Sequence, residues 1–273
     1  MWATFLLITL TTLYASPLQW NGDKPVNPKN LSRIIALAPD TADFLMALNL
    51  QTKLVGIASP PANQELVKLP SVGNFTQPNL EKIIQLKPQL VLTTIYGNPE
   101  PLVKRLTGLS VPSLTLNIKT VADLEQALEE LGDFFERQKE AQVIRYQLRR
   151  SIKNLTGKFS GRILFQIQGS PLISASGDTF FGDLLQKIGF QVIPAGGKFA
   201  LVTPEEIFIN PPHIVLIPIA VSHMERRVVF PWNQWSKLAV VQKKQIILVP
   251  ESPWSRPSPK ILEALAMLQD FKL

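Results

Sequence analysis

The chain has 273 residues, enough for one large domain or two smaller ones, and it is 45% hydrophobic, 18% charged and 8% aromatic. These are the values of a folded globular protein, so a disordered chain and a collagen-like repeat are excluded. Cysteine is absent, which excludes disulfides, thiolate metal sites and cysteine nucleophiles. The formal charge is +7, but the basic residues are dispersed along the chain, which argues against a nucleic-acid-binding surface.

Residues 1–19 carry no charged side chain and contain the apolar run Phe5–Ile8. The run is too short and too rich in threonine for a membrane span, so we expect no stable membrane insertion. It is typical of a secretory signal peptide, although the usual basic residue near the start is absent. We therefore predict a signal peptide over residues 1–19, cleaved near Ala15. An uncleaved anchor and a buried first helix are the alternatives.

Strands and helices alternate over residues 30–120, which we assign to a first lobe. The predicted buried strands are Arg33–Leu37, Leu54–Ala58, Leu90–Thr93 and Val111–Leu116. Continuous apolar strands separated by helices indicate a largely parallel sheet with helices on both faces. Asp40 and Asp43, on the first turns of the first helix, are interpreted as a cap and a solvated residue.

One long helical pattern follows, from Val121 to about Leu155, without an internal proline. It predicts a single helix on the order of 50 Å long, at about 1.5 Å per residue. A coiled coil is the alternative, but a single segment between two α/β regions favours a connecting helix, which we place at 121–158. Alternation of strands and helices resumes after it, so residues 159–273 form a second lobe.

A segment of the first lobe is repeated in the second. Glu81–Leu92 and Glu205–Leu216 both show a short helix, a proline and a buried strand, and matching residues lie 124 positions apart. The repeat predicts two similarly built lobes that present Glu81 and Glu205 at equivalent exposed places.

Several segments resemble the class III substrate-binding proteins of ABC importers, which carry cobalamin, haem or ferric siderophores, and above all their cobalamin-binding branch. The segments that carry the resemblance are Arg33–Pro39, Leu54–Ile57, Val72–Phe75, Pro78–Ile83, Leu86–Leu92, Gly161–Phe165, Ser176–Gly177 and Trp254–Pro259. The resemblance covers nearly all of the chain after Arg33. It implies an α/β fold with two Rossmann-like lobes, mainly parallel sheets, one long backbone helix joining them and a ligand cleft between them.

The same resemblance implies a function in transport. It describes a monomeric periplasmic protein, without catalytic activity or a resident cofactor or metal, that captures cobalamin (vitamin B12) or a related metal–tetrapyrrole for the permease dimer of an ABC importer. A ferric siderophore or haem is the alternative cargo. A chelatase-like enzyme is the alternative of a different class, but two histidines and no evident cluster of metal ligands argue against it.

The resemblance places aromatic ligand-binding residues on loops at the strand ends, because broad rings suit a flat corrin or porphyrin. These positions are Phe75, Tyr96, Phe199 and Trp254. The loop Ser59–Asn63 lacks the tyrosines that relatives have there, which leaves the identity of the ligand open.

The resemblance also places Glu81 and Glu205 opposite arginines of the two permease subunits, with the adjacent Glu206 as an alternative to Glu205. The charged loop His223–Arg227 is interpreted as solvated. Its two arginines would alternatively suit an anionic siderophore or the propionates of haem.

Overall fold

The computed structural model describes residues 15–21, 26–59, 66–98, 100–220 and 231–271. The predicted signal peptide as far as residue 14 lies outside the described residues. The loop His223–Arg227 and residues 60–65 also lie outside them.

The first lobe contains a six-stranded sheet in the order β1-β6-β5-β2-β3-β4, in which all neighbours are parallel except β1 and β6. Its strands are β1 Leu18–Asn21, β2 Ile34–Ala36, β3 Leu54–Ser59, β4 Ser71–Asn74, β5 Leu90–Thr94 and β6 Ser113–Leu116. Leu18 and Gln19, which the predicted signal range included, belong to β1, whereas the predicted cleavage point at Ala15 precedes this strand.

The second lobe has its own sheet, in the order β10-β8-β7-β11-β12, with β9 also paired to β7. Its strands are β7 Arg162–Gly169, β8 Leu172–Ala175, β9 Gln191–Ile193, β10 Phe199–Leu201, β11 Ile214–Ile219 and β12 Ile246–Pro250. The strands β7, β9, β11 and β12 are parallel, and β8 is antiparallel to both of its neighbours, β7 and β10. The prediction of two lobes with mainly parallel sheets is therefore confirmed.

Helices surround both sheets. They are α1 Pro39–Ala47, α2 Leu80–Gln85, α3 Glu100–Gly108, α4 Val121–Phe134, α5 Gln138–Leu155, α6 Phe180–Lys187, α7 Pro204–Ile209, α8 Ala239–Gln242, α9 Glu251–Trp254 and α10 Ile261–Gln269. Among these described helices, none combines the length and the apolar surface that crossing a bilayer requires.

The internal repeat is visible in the fold. Helices α2 and α7 each have six residues, begin 124 positions apart, and lead into the parallel strands β5 and β11. Each starts at a capping side chain, since Asn79 Oδ1 accepts from Lys82 N at 3.0 Å and Thr203 Oγ1 from Glu206 N at 3.2 Å. The two lobes are therefore built alike in this region.

The prediction of a single helix over 121–158 is wrong, because the segment forms two antiparallel helices. Helix α4 ends at Phe134, and Glu136 turns the chain with a φ of 56°. The amides of Glu136 and Arg137 bond back to Asp133 O and Gly132 O, as in a Schellman cap. Neither glycine nor proline occupies the turn, so the sequence carries no breaker at this point.

Ion pairs fix the direction of the two helices. Glu125 Oε2 lies 2.6 Å from Arg149 Nη2, and Glu129 Oε2 lies 2.8 Å from Arg145 Nη2. Residue numbers therefore increase along α4 as they decrease along α5, so the two helices are antiparallel. Helix α5 contacts α1 of the first lobe and α10 of the second. Helix α5 therefore spans the two lobes, and α4 packs along it.

One hydrophobic cluster continues from lobe to lobe through these helices. It includes Leu92 and Leu116 of the first sheet, Phe165 and Leu216 of the second, and Leu128, Leu148 and Leu265 of α4, α5 and α10. Alternate residues of β5 divide between two faces, with Leu90 in this shared cluster and Val91 in a separate cluster of the first lobe. The sheets therefore share a common core on one side.

We predict that the close approach of α4 and α5 at Gly132 contributes to stability. A Cβ built on Gly132 lies 2.6 Å from Ala141 Cβ, whereas nothing lies within 4 Å of a Cβ built on Gly108 in α3. Both alanine substitutions gain helix propensity, so the difference between Gly132→Ala and Gly108→Ala isolates the clash. We expect Gly132→Ala to be less stable than Gly108→Ala by about 1–3 kcal/mol in urea unfolding. Equal unfolding free energies would contradict the close packing.

Candidate ligand-binding cleft

A cleft of about 400 Å³ lies between the lobes. The first lobe contributes Ile95 and Tyr96, which follow β5, and Lys119, which follows β6. The second lobe contributes residues at the ends of β7, β11 and β12, the start of α6 and the start of β10. The carboxyl ends of parallel strands meet at one edge of a sheet, where α/β proteins commonly bind ligands.

Aromatic side chains form the buried wall of the cleft on the side of the second lobe. Trp254 is fully buried, and its ring lies 5.9 Å from Phe165 and 6.1 Å from Phe181. Phe181 in turn stacks on Phe165 at 5.1 Å. The indole Nε1 of Trp254 is buried without a hydrogen-bond partner in the described part of the chain. Each ring of this wall is thus packed against another.

The rim of the cleft exposes large apolar side chains from both lobes. The exposed fractions are 44% for Tyr96, 48% for Ile167 and 57% for Phe199, and Ile95 is also exposed. A continuous exposed apolar surface is unfavourable in water and marks a binding site in a soluble protein. The rim is therefore suited to bury a large, mainly apolar ligand face.

The structure brings three of the four predicted ligand-binding residues, Tyr96, Phe199 and Trp254, to the cleft lining. Phe75 is not part of this lining. Its ring packs instead on the loop after β5, where a Cβ built on Gly97 would lie 2.5 Å from Phe75 Cδ2. Phe75 O also accepts from Asn98 Nδ2 at 2.7 Å. Phe75 therefore supports the loop that carries Tyr96.

Phe75 and Phe199 are nevertheless matching residues of the two lobes. They lie 124 positions apart, like Glu81 and Glu205, and each follows a glycine with positive φ by two residues. These glycines are Gly73, with a φ of 97°, and Gly197, with a φ of 86°. The matching positions differ in structure, because Phe75 follows strand β4 and packs on a loop, whereas Phe199 begins strand β10 and lies at the cleft rim.

Sequence reasoning missed Phe180 and Phe181, which also line the cleft. Both follow Thr179, whose Oγ1 accepts from Gly182 N at 3.1 Å and caps α6. The sequence signal that could have predicted these two residues is a pair of aromatic residues directly after a helix-capping threonine.

Four charged side chains line the cleft, two of each sign. Lys119 comes from the first lobe, and Lys198, Asp178 and Glu251 come from the second. The described lining therefore has no net charge. In the described part of the chain, no group of three or more histidine, aspartate or glutamate side chains is placed to hold a metal ion.

Asp40 and Asp43 are not a cap and a solvated residue, as the sequence suggested, because both are buried, with exposed fractions of 3% and 4%. The residue at the cap position of α1 is Ala38, and Thr41 Oγ1 donates to Ala38 O at 2.7 Å. Asp43 Oδ2 accepts from Arg256 Nε and from Ser258 Oγ, each at 2.9 Å. The helical pattern did not predict this burial, because it assigned the buried positions of α1 to the apolar neighbours of the two aspartates.

Burial raises the pKa of Asp40 to about 6, and the nearby charge of Asp43 acts in the same direction. A hydrogen bond with the Thr94 side chain opposes the rise. Burial also raises the pKa of Tyr96 to about 12, with smaller contributions from Asp123 and Asp40. The Tyr96 phenol thus remains a neutral hydrogen-bonding group at the cleft rim.

The two predicted docking residues lie on the matching helices α2 and α7. Glu81 and Glu205 are the second residues of these helices, and both are exposed. The neighbouring Glu206 is engaged locally, because its Oε2 accepts from Thr203 N at 2.7 Å. Glu205 makes no hydrogen bond or ion pair with any other residue that the structure describes, which distinguishes it from Glu206.

Two α/β lobes with an apolar cleft at their strand ends define a two-lobe ligand-binding protein. The sequence profile of the periplasmic binding protein family matches residues 34–253. The chain therefore belongs to the periplasmic binding protein family. This finding confirms the family that the sequence motifs suggested.

Individual relatives agree with this assignment. The vitamin B12-binding protein of Vibrio cholerae serotype O1 is 25% identical, over 95% of this chain and 94% of its own length. The crystal structure of the vitamin B12-binding protein BtuF of Vibrio cholerae has a TM-score of 0.75 at 24% identity and covers 87% of this chain and 94% of that one. The haem-binding protein HutB of Vibrio cholerae has a TM-score of 0.74 at 17% identity, covering 88% and 98%. At these identities, the two structures show a common fold.

We predict that the burial of Asp40 makes stability depend on pH. Because its folded pKa of about 6 exceeds the ordinary value of 3.8, its contribution to stability is complete below pH 4 and is lost as the pH rises to about 6. Asp40→Asn removes this titration. The unfolding free energy of the variant should therefore rise relative to wild type by up to about 3 kcal/mol between pH 4 and 7.

Urea unfolding at several pH values measures this difference. Asp133→Asn, at an exposed position of α4, serves as the control for the loss of one carboxylate. A difference between Asp40→Asn and wild type that stays constant from pH 4 to 7 would contradict the predicted titration.

Proposed function

We propose that this protein is the substrate-binding component of an ABC importer that captures cobalamin, or a related metal–tetrapyrrole, and delivers it to the membrane permease. The observation that carries the proposal is the rim of exposed apolar side chains, contributed by both lobes, around a cleft with an aromatic wall. The vitamin B12-binding relatives, aligned over almost their entire length, support the choice of cargo.

The chemistry of the cleft agrees with a corrin ligand. Flat macrocycles bury large areas against rings such as Tyr96 and Phe199, at a small cost in side-chain entropy. Cobalamin is larger than a cavity of about 400 Å³, so part of the ligand must project past the rim. The rim residues Ile95 and Ile167 would cover that part from opposite lobes.

The charge of the lining favours cobalamin over the alternative cargoes. Haem carries two propionates and many ferric siderophores are anionic, so a site for them gains from an excess of cations. Among the described lining residues, Lys119 and Lys198 are balanced by Asp178 and Glu251. Haem and ferric siderophores therefore remain the second candidates, supported by the similar fold of the haem-binding protein HutB.

We further propose that the protein binds its ligand without transforming it and acts as a monomer. A chelatase would place several metal-ligating side chains together, and the part of the lining that the structure describes has two carboxylates and no histidine. Export through residues 1–19 with cleavage near Ala15 would leave β1 in the mature periplasmic protein.

Delivery is proposed to use Glu81 and Glu205. The two glutamates occupy equivalent exposed places on similarly built lobes, so each can meet one subunit of a permease dimer. Exposed ion pairs contribute only about 0–1 kcal/mol each, but two separated contacts define the orientation of docking and steer association.

Cyanocobalamin should co-elute with the purified protein at micromolar concentration, detected by visible absorbance, whereas haem and a ferric siderophore should not. Phe199→Ala should raise the Kd for cyanocobalamin about tenfold or more, because burial of an aromatic side chain is worth about 1.5–3 kcal/mol. The control is Phe208→Ala, since Phe208 is similarly exposed (53%) but lies on α7 outside the cleft lining. Retention of haem alone would favour the second candidate, and retention of no chromophore would refute the proposal.

For docking, the double variant Glu81→Ala/Glu205→Ala should associate with the permease about thirtyfold more weakly, as expected for two exposed ion pairs of about 1 kcal/mol each. Its affinity for cyanocobalamin should not change. Glu263→Ala, at an exposed position of α10, is the matched control. Binding to detergent-solubilised permease measures the effect, and an unchanged association constant for the double variant would exclude these docking contacts.

A further inference from the structure

A buried carboxylate of the first lobe is bound by three residues of the second. The side chain of Asp43 in α1 is 2% exposed. It accepts from Arg256 Nε at 2.9 Å and from Ser258 Oγ at 2.9 Å, and Lys260 Nζ lies 3.6 Å from its second oxygen. These partners are more than 210 positions away along the chain.

The three partners belong to one short segment, residues 255–260, between α9 and α10. A buried charge costs several kcal/mol unless ionic partners and hydrogen bonds compensate it. Arg256 and Ser258 supply this compensation to Asp43, and Asp43 supplies it to the guanidinium. Displacing the segment would leave charges of both signs buried and unpaired, so the segment has one strongly preferred position.

The same segment forms a wall of the cleft. Trp254, Ser255 and Pro257 line the cavity, while the intervening Arg256 and the following Ser258 bond to Asp43. Arg256 Nη1 also lies 3.3 Å from Ser255 Oγ, so the guanidinium contacts the carboxylate on one side and a lining residue on the other. Asp43 itself is not part of the lining.

We propose that Asp43 is a positioning residue for ligand binding, which holds the Trp254–Pro257 wall of the cleft through Arg256 and Ser258. This proposal rests on the ligand-binding function proposed above. It assigns a role in affinity to a residue of the first lobe that does not touch the ligand. It also means that the cleft is shaped by an ionic contact between the lobes and not by the second lobe alone.

A double-mutant cycle tests whether Asp43 acts through Arg256. The variants are Asp43→Asn, Arg256→Gln and their combination, and the measured quantity is the Kd for cyanocobalamin. Each single variant should raise this Kd about tenfold. The double variant should also raise it about tenfold, because the second substitution removes nothing that the first has left. The proposal would be overturned if the increase in Kd of the double variant equalled the product of the two single increases. It would also be overturned if the Kd of Asp43→Asn lay within twofold of wild type.

Two further variants keep the test informative if Asp43→Asn unfolds. Ser258→Ala removes one hydrogen bond from the same carboxylate and should raise the Kd about threefold, consistent with a bond worth about 0.5–1.5 kcal/mol. Glu125→Gln breaks the ion pair of Glu125 with Arg149 on α4 and α5, away from the cleft, and should leave the Kd unchanged. Equal effects of Ser258→Ala and Glu125→Gln would refute a role specific to the cleft wall.

Hydrogen–deuterium exchange gives a readout that does not depend on the ligand. In Asp43→Asn or Ser258→Ala, amides of residues 251–260 should exchange faster, while those of α4 and α5 keep their wild-type rates. Uniform acceleration along the chain, or none in residues 251–260, would overturn the positioning role. If wild-type protein retains no chromophore, the proposed function fails, and this exchange experiment still decides whether Asp43 holds the wall.

Discussion

The shared hydrophobic core is the constraint on which the rest of the structure depends. Residues of both sheets pack against a common layer made by α4, α5 and α10, so the lobes are not independent globules on a linker. Burial of apolar surface is the dominant favourable contribution to folding, and here it also sets the distance between the two sheets. The cleft is the space that remains where the strand ends of the two sheets face each other.

Ligand recognition follows from this arrangement because the two lobes, although built alike, present different chemistry. The matching segments before α2 and α7 differ, because Phe75 packs against a loop and Phe199 lines the cleft. The first lobe therefore contributes Tyr96, on a loop that packs against Phe75. The second lobe contributes the packed aromatic wall and the exposed Phe199. The repeated glutamates Glu81 and Glu205 remain equivalent, because both are exposed at the second position of matching helices.

Electrostatics joins the lobes at a second place. Asp40 and Asp43 lie buried on one helix, and the second lobe provides the basic side chains and the hydroxyl group that compensate Asp43. Burial raises the pKa of Asp40 and the charge of Asp43 adds to the rise, while hydrogen bonds with Thr94 and Thr41 and the charge of Arg256 oppose it. Such groups cost stability and fix geometry, since a buried ion pair tolerates little displacement of either partner.

The resemblance to a family, and not periodicity, pointed to Tyr96, Phe199 and Trp254. The sequence by itself determined the alternation of strands and helices, the two lobes and the repeat with Glu81 and Glu205. These features are local or periodic, so they can be recognised in the amino-acid sequence. The tertiary structure alone decided the break at Glu136, where the turn contains neither glycine nor proline, and the pairing of the short strands β8 and β10. It also decided that Phe75 packs on the loop at Gly97 and that Asp43 is buried against Arg256, because such contacts join residues far apart in sequence and leave no local pattern.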